Sequence, residues 1–309
     1  MHDAPRAHDA ERIGTLYHPD MTSIGAEAAR AGLPPVRAGR PGVHLLIVDM
    51  QVDFCHADGA LSVPGAREDL QRLIRFILRN AEQISGITCS LDSHLPLQIF
   101  HPAWWADRNG EHPPPFTMIG HEDLVDGTWV PLLEPEWSAQ YTRSLRRLGR
   151  NELTIWPYHC LIGSPGHCLD PDLLAAVLWH SLARGTQPTW WMKGSIPGTE
   201  HYSILRPEIP VPGHPLNTGC RELLDLLETS DLIFIAGEAK SHCVLETVED
   251  LVEEYADRPD VLGRVFVLQD CTSSIRHPEI DYEALANARF ADFSQKGIHL
   301  VDSTDPLPL

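Results

Sequence analysis

Apolar residues recur along this chain in two rhythms, and the alternation between them predicts the architecture. The run VHLLIVDM, residues 43–50, is short, continuous and rich in aliphatic and β-branched side chains. A strand covered on both faces has this appearance. After a loop through Gly59 and Pro64, the segment REDLQRLIRFILRNAEQI places Leu70, Leu73, Ile74, Ile77 and Leu78 at helical spacing. ITCSLDSH, 87–94, then reads as a second strand. Strand, helix and strand in about 50 residues make a βαβ unit, which implies a parallel sheet.

The rhythm stops over 95–155, which holds many prolines together with Trp104, Trp105, Trp129 and Trp137. This is too long for a plain connection. It predicts a structured insertion that serves as a lid or an oligomer contact. Beyond it the alternation resumes: helix 170–184, strand 188–193, helix 219–228, strand 231–237, helix 242–255, strand 264–270, helix 281–293 and a short strand 298–301. The expected fold class is α/β, a three-layer α/β/α arrangement around a mostly parallel central sheet. Residues 1–40, polar and proline-punctuated, read as an N-terminal extension that packs on the surface or frays. Residues 41–309 read as a single domain.

Composition narrows the function classes. With 24 Lys and Arg against 43 Asp and Glu the formal charge is −19, which argues against nucleic acid and anionic membrane surfaces as partners. The seven cysteines are odd in number and form no CxxC pair, the usage of reduced thiols. No apolar run approaches the roughly 18 residues of a membrane span, and the first residues lack the apolar core of a secretory signal. The expected compartment is the cytoplasm.

In open parallel sheets, ligands collect at the carboxyl ends of the strands, so the polar residues there are the candidates. Asp49 ends the first strand, where a carboxylate is costly unless paired or used; it is a candidate general base or a structural turn cap. Asp92 and His94 stand two apart at the end of the second strand and so share a face. With His101 and His159 they form a candidate set for a divalent ion, zinc, iron or manganese; among 17 histidines chance clustering is the competing reading. Lys193 ends a third strand, as a charge partner or a surface lysine. Cys243 follows a strand and opens a helix, where the helix dipole lowers a thiol pKa and backbone N–H groups are free to hold an oxyanion. In a core the same residue would be inert. The sequence has no GxSxG elbow, Walker A loop or dinucleotide-binding glycine fingerprint, so no organic cofactor is expected.

These residues fall within segments that resemble the isochorismatase-like cysteine hydrolases, and among them the metal-binding nicotinamidases: IVDMQVDF (47–54), SLDSH (90–94), WPYHCLIGSPG (156–166), MKG (192–194) and GEAKSHCV (237–244). They occur in the family's order over about 200 residues. The resemblance implies a catalytic triad of Asp49, Lys193 and Cys243, and an oxyanion hole from the N–H groups of Ala239 and Cys243. It also implies a cis peptide joining Glu238 to Ala239. Asp92, His94 and His159 match the metal ligands, with His101 a fourth candidate, and Phe54 and Trp156 match the pair that sandwiches a pyridine ring. The implied reaction is hydrolysis of a small amide through a thioester, foremost nicotinamide to nicotinate and ammonia in NAD salvage. The alternatives are another small amide or carbamoyl compound on the same triad, or a non-catalytic binding module. A homo-oligomer is implied as well. The chain departs from the family pattern at Val52, where asparagine is common, in the length of the 95–155 insertion, and at Glu238 and Lys240, which stand where uncharged residues are usual.

Overall fold

A computed structural model describes residues 12–37, 42–148, 152–218 and 221–308. Six strands form one sheet: β1 (Val43–Val48), β2 (Ile84–Asp92), β3 (Thr189–Lys193), β4 (Leu232–Gly237), β5 (Val265–Leu268) and β6 (His299–Val301). Their order is β6-β5-β4-β1-β2-β3, and every pairing is parallel. The mostly parallel sheet expected from the sequence is entirely parallel.

The continuous apolar run of β1 has a physical cause. All six of its residues are buried. Val43, Leu45 and Ile47 join one core, and Leu46 and Val48 join another on the opposite face. The two-residue period divides β4 and β5 in the same way: Phe234 and Phe266 enter the first core, and Ile233, Ile235, Val265 and Val267 the second. The first core is closed by α2 (Ala66–Arg79) and α4 (Pro171–Arg184), with α1 (Met21–Ala31) packed outside α4. The second is closed by α5 (Arg221–Thr229), α6 (Leu245–Glu254) and α7 (Tyr282–Gln295). No helix of the described residues is long and apolar enough to cross a membrane.

Two boundaries differ from expectation. The helix predicted through Ile84 ends at Arg79, where the Asn80 side chain bonds the Phe76 carbonyl at 3.0 Å. Ile84 instead pairs with Val43 and begins β2. The helix predicted over 242–255 also changes at its start: Lys240–Val244 is a single π-helical turn, and α6 begins at Leu245. Positions 219 and 220, predicted as helix, lie outside the described residues, as do 1–11 of the extension.

Positions 38–40 also lie outside the described residues, and residues 12–37 of the extension are part of the fold. Tyr17 donates its hydroxyl to Asp172 at 2.6 Å, the Val36 N–H reaches the Arg184 carbonyl at 2.8 Å, and Ile24 and Ala28 are buried. The insertion contains α3 (Pro135–Arg147), a short helix His121–Asp126, and two small antiparallel ladders, Trp105–Ala106 with Val130–Pro131 and Met118–Ile119 with Leu153–Thr154. Its indoles hold it in place: Trp104 donates to Ser138 at 2.9 Å, and Trp105 and Trp137 donate to the carbonyls of Ile99 and Gly198, each at 2.6 Å.

Candidate active site

The strand order reverses at β1. Its sequence-adjacent partner β2 lies on one side and β4 on the other. The carboxyl ends of these strands open the crevice in which parallel sheets bind ligands. Register then fixes neighbours: Val48 pairs with Gly237, and Asp92 with Lys193. A Cβ on Gly237 would stand 2.0 Å from the Val48 carbonyl oxygen, and its φ of 134° is one that only glycine adopts readily. The loop that carries Cys243 can leave β4 this close to β1 only through a glycine.

Four side chains meet at this point. The Lys193 ammonium lies 2.9 Å from Asp49, 3.0 Å from Asp92 and 3.5 Å from the Cys243 sulfur. It also donates to the His201 carbonyl at 2.9 Å. The side chains of Lys193 and Asp49 have no exposed surface. Asp49 takes a left-handed backbone conformation, φ 46°, a strained geometry that functional sites often retain. The Ser90 hydroxyl donates to its carboxylate at 2.6 Å and accepts from its N–H at 3.1 Å.

Burial raises the Asp49 pKa against the opposing pull of Lys193. It also pushes the Cys243 thiol well above its ordinary value, assisted by Asp49 and Asp92 and only partly offset by Lys193. The thiolate expected from the helix dipole is therefore not the resting form. The thiol lies 5% exposed in an apolar core, and desolvation outweighs a single turn of dipole. Lys193 resists the same burial: Asp49, Asp92 and Cys243 hold its pKa well above the usual range. A charged lysine, a protonated thiol and a carboxyl with raised basicity form a proton-transfer pair with its counter-ion in place.

Beside this group, Asp92, His94 and His159 place one ligand atom each within 4.8 Å of one another. His94 Nε2 lies 2.8 Å and His159 Nε2 3.7 Å from the same Asp92 oxygen. Each ring turns its Nδ1 to a backbone carbonyl, His94 to Gly194 at 3.2 Å and His159 to Pro157 at 2.8 Å. With the proton on Nδ1, donated to that carbonyl, each Nε2 would be a lone-pair donor, as a metal-ligating imidazole requires. Gln51 pins Asp92 from behind, accepting from its N–H at 2.7 Å and donating to its carbonyl at 2.8 Å. His101 is fully buried, its ring centroid 5.9 Å from His94 and 6.3 Å from His159. Neither of its ring nitrogens makes a well-formed hydrogen bond, although the Leu95 and Pro96 carbonyls lie near. Burial, with His94 and His159, lowers its pKa to about 3, so the ring is neutral. One carboxylate and three imidazoles suit a borderline divalent cation.

A pocket adjoins both groups, lined by Phe54, Trp156, Tyr202, Ala239, His242 and Cys243, with Glu200 at its wall. Phe54 packs edge-on to His159, with centroids 5.4 Å apart, and the Trp156 indole donates to the Tyr202 hydroxyl at 3.1 Å. Ala239 is buried, and the Glu238–Ala239 bond is cis, as the resemblance implies. None of the residues lining this pocket belongs to the insertion. The insertion reaches the site through His101 and through Phe116, which backs Trp156 at 5.8 Å. Sequence reasoning missed Ser90, Gln51, Glu200 and Tyr202. Ser90 was within reach, since it shares the alternating face of Asp92 and His94.

No protein-family model matches the chain, and no curated protein matches it by sequence. Solved structures do match. The yeast nicotinamidase Pnc1p bound to the inhibitor nicotinaldehyde aligns with a TM-score of 0.57 at 19% identity, over 84% of this chain and 99% of that one. A nicotinamidase/pyrazinamidase from Acinetobacter baumanii aligns at 0.55 and 19%, over 87% and 99%. PnC1 from L. infantum, in complex with nicotinate, aligns at 0.51 and 20%, over 88% and 98%. The chain thus has the three-layer α/β/α fold of these nicotinamidase structures across nearly their whole length.

Proposed function

We propose that this protein is a cysteine amidohydrolase whose substrate is nicotinamide. The observation that carries the reading is the buried contact of Lys193 with both Asp49 and Cys243, beside the Asp92, His94 and His159 cluster.

In this reading Cys243 gives its proton to Asp49 as its sulfur attacks the amide carbonyl carbon. The N–H groups of Ala239 and Cys243 receive the developing oxyanion. Asp49 returns the proton to the amine as the C–N bond breaks, releasing ammonia and leaving a thioester. Water, deprotonated by Asp49, then attacks the thioester; the C–S bond breaks, and the acid and the free thiol are restored. Lys193 stays charged and stabilises whichever of Asp49 and Cys243 is anionic. Phe54 and Trp156 hold the flat ring. Asp92, His94 and His159, with His101 as a fourth candidate, would hold a divalent ion, which supplies a Lewis-acid contact for a ring nitrogen.

Ammonia release from nicotinamide by the metal-replete protein tests the reading, with Cys243→Ala as control. Turnover that vanishes in the variant is expected. Turnover that survives in Cys243→Ala would sink the triad. Absence of turnover in the metal-loaded wild type discards nicotinamide. Glu200 on the pocket wall then favours the second reading, the same triad on another small amide or carbamoyl compound, to be found by screening amides for ammonia release.

A further inference from the structure

The loop carrying Ala239 and Cys243 begins with an acid the mechanism does not use. Glu238 is fully buried and points to the opposite side of β4 from Cys243, toward α2. Its backbone is stitched on both sides. The Glu238 N–H donates to Val48 at 2.8 Å, Gly237 to Cys271 at 3.1 Å, and Lys240 to Ser273 at 2.8 Å. Its side chain converges on the same serine. Glu238 Oε2 accepts the Ser273 N–H at 3.2 Å, while the Ser273 hydroxyl donates to Asp69 at 2.5 Å. One residue therefore bridges two acids, one from the loop and one from α2, and Asp69 is only 1% exposed.

Glu238 Oε1 finds no donor. The group within its reach is the Asp69 carboxyl. Two carboxylates in a buried space cannot both be charged without a large penalty. The remaining groups facing them are Arg72, which is bound to Asp69 and extends to Asp270, and the thiols of Cys55 and Cys271. Lys240 is engaged elsewhere, with Glu283 at 2.6 Å and Asn287 at 2.7 Å. One guanidinium balances one carboxylate, so the second acid keeps its proton.

We propose that Glu238 and Asp69 share a single proton, and that this acid pair clamps the Gly237–Cys243 loop to α2 as a positioning device for the nucleophile. Burial beside Asp69 raises the Glu238 pKa well above its ordinary value. A raised acid stabilises the fold most below its unfolded pKa of about 4.3 and loses that contribution as pH rises toward the folded value.

Glu238→Gln tests this, since the amide donates permanently to Asp69. The melting temperature of the wild type minus that of the variant is expected to fall steadily from pH 5 to pH 9. Glu238→Leu removes the acid without supplying a donor, and measured against the wild type it shows the same pH slope, so the test survives if one variant folds poorly. A difference that stays constant with pH in either variant overturns the shared proton. The clamp is read separately, by the rate at which iodoacetamide alkylates Cys243, followed on its own peptide. At pH 6 the wild type and Glu238→Gln label alike. As the pH rises and the clamp ionises, the wild type comes to label faster than Glu238→Gln, by at least about threefold at the highest pH at which both proteins stay folded. Equal rates at both pH values overturn the positioning role. Neither readout depends on which amide is hydrolysed, so failure here leaves the proposed function standing.

Discussion

Two opposed influences meet at the carboxyl group of Asp49. Burial favours its neutral form, and the Lys193 ammonium favours its charged form. The balance leaves a carboxylate more basic than one in water, which is what a base facing a protonated thiol needs. Asp49→Asn keeps the shape and the contact with Ser90 but cannot take a proton. It is expected to lower kcat for ammonia release per folded molecule by about 10²- to 10⁴-fold, and to lower the melting temperature as well, because the amide N–H groups face the buried Lys193 ammonium; a loss of kcat of less than tenfold counts against a proton-transfer role. Gly194 is a second sensitive point. A Cβ there would stand 2.5 Å from Asp92 and 2.8 Å from His94, at a φ of 84°. Gly194→Ala is expected to weaken divalent-metal binding about tenfold or more, measured as bound metal per chain after dialysis against graded free metal; unchanged occupancy would remove the three-residue cluster from consideration. Most of the placement of the site at this scale was legible, because Asp49, Asp92 and Lys193 each sit at the carboxyl end of a strand and Cys243 lies in the turn after one. Glu200 and Tyr202 were not, since the stretch from 195 to 209 has no period that says which side chains turn inward.

At the scale of elements, the sheet was legible because a strand buried on both faces leaves an unbroken apolar run. β1 shows why, with its alternate residues shared between two cores. The inner arrangement of the insertion was not, since it is held by two-residue ladders and by single indole hydrogen bonds, as from Trp137 to the Gly198 carbonyl, and these leave no pattern along the chain. Two buried histidines within the layers bear on stability. His44 on β1 bonds Thr88 at 2.9 Å, and His180 on α4 bonds the Ile84 carbonyl at 3.1 Å. Burial lowers the pKa of each from 6.5 to about 4. A histidine held neutral in the fold but free to charge when unfolded contributes stability above pH 6.5, and loses it as pH falls toward 4. The loss is on the order of 2–3 kcal/mol for each ring by pH 4. The melting temperature should fall between pH 7 and pH 4.5, and by less in the His44→Gln/His180→Gln double variant. Parallel pH curves for the two proteins would contradict this account.

Over the whole molecule, the described part of the N-terminal extension packs as a helix of the fold and not as an appendage. Ile24 is 1% exposed where α1 lies against α4. Ile24→Ala is expected to cost about 2–4 kcal/mol in urea unfolding while leaving ammonia release per folded molecule unchanged. A cost below about 0.5 kcal/mol, the usual range of a surface substitution, would show that the helix is only loosely attached.

The division of the molecule into two cores by its sheet also bears on synthesis. Asp49 comes from the strand at the centre of that division, Lys193 from a strand at the edge, and Cys243 from the turn that opens a helix of the second core. A growing chain that has folded only its first half holds an aspartate facing no thiol. A chain lacking its last two strands has the thiol but not the segment from Cys271 to Ser273 that its loop is stitched to. Under the proposed function, the three partners of the reaction are thus brought together only by completion of the fold, and the unfinished polypeptide carries Cys243 without them.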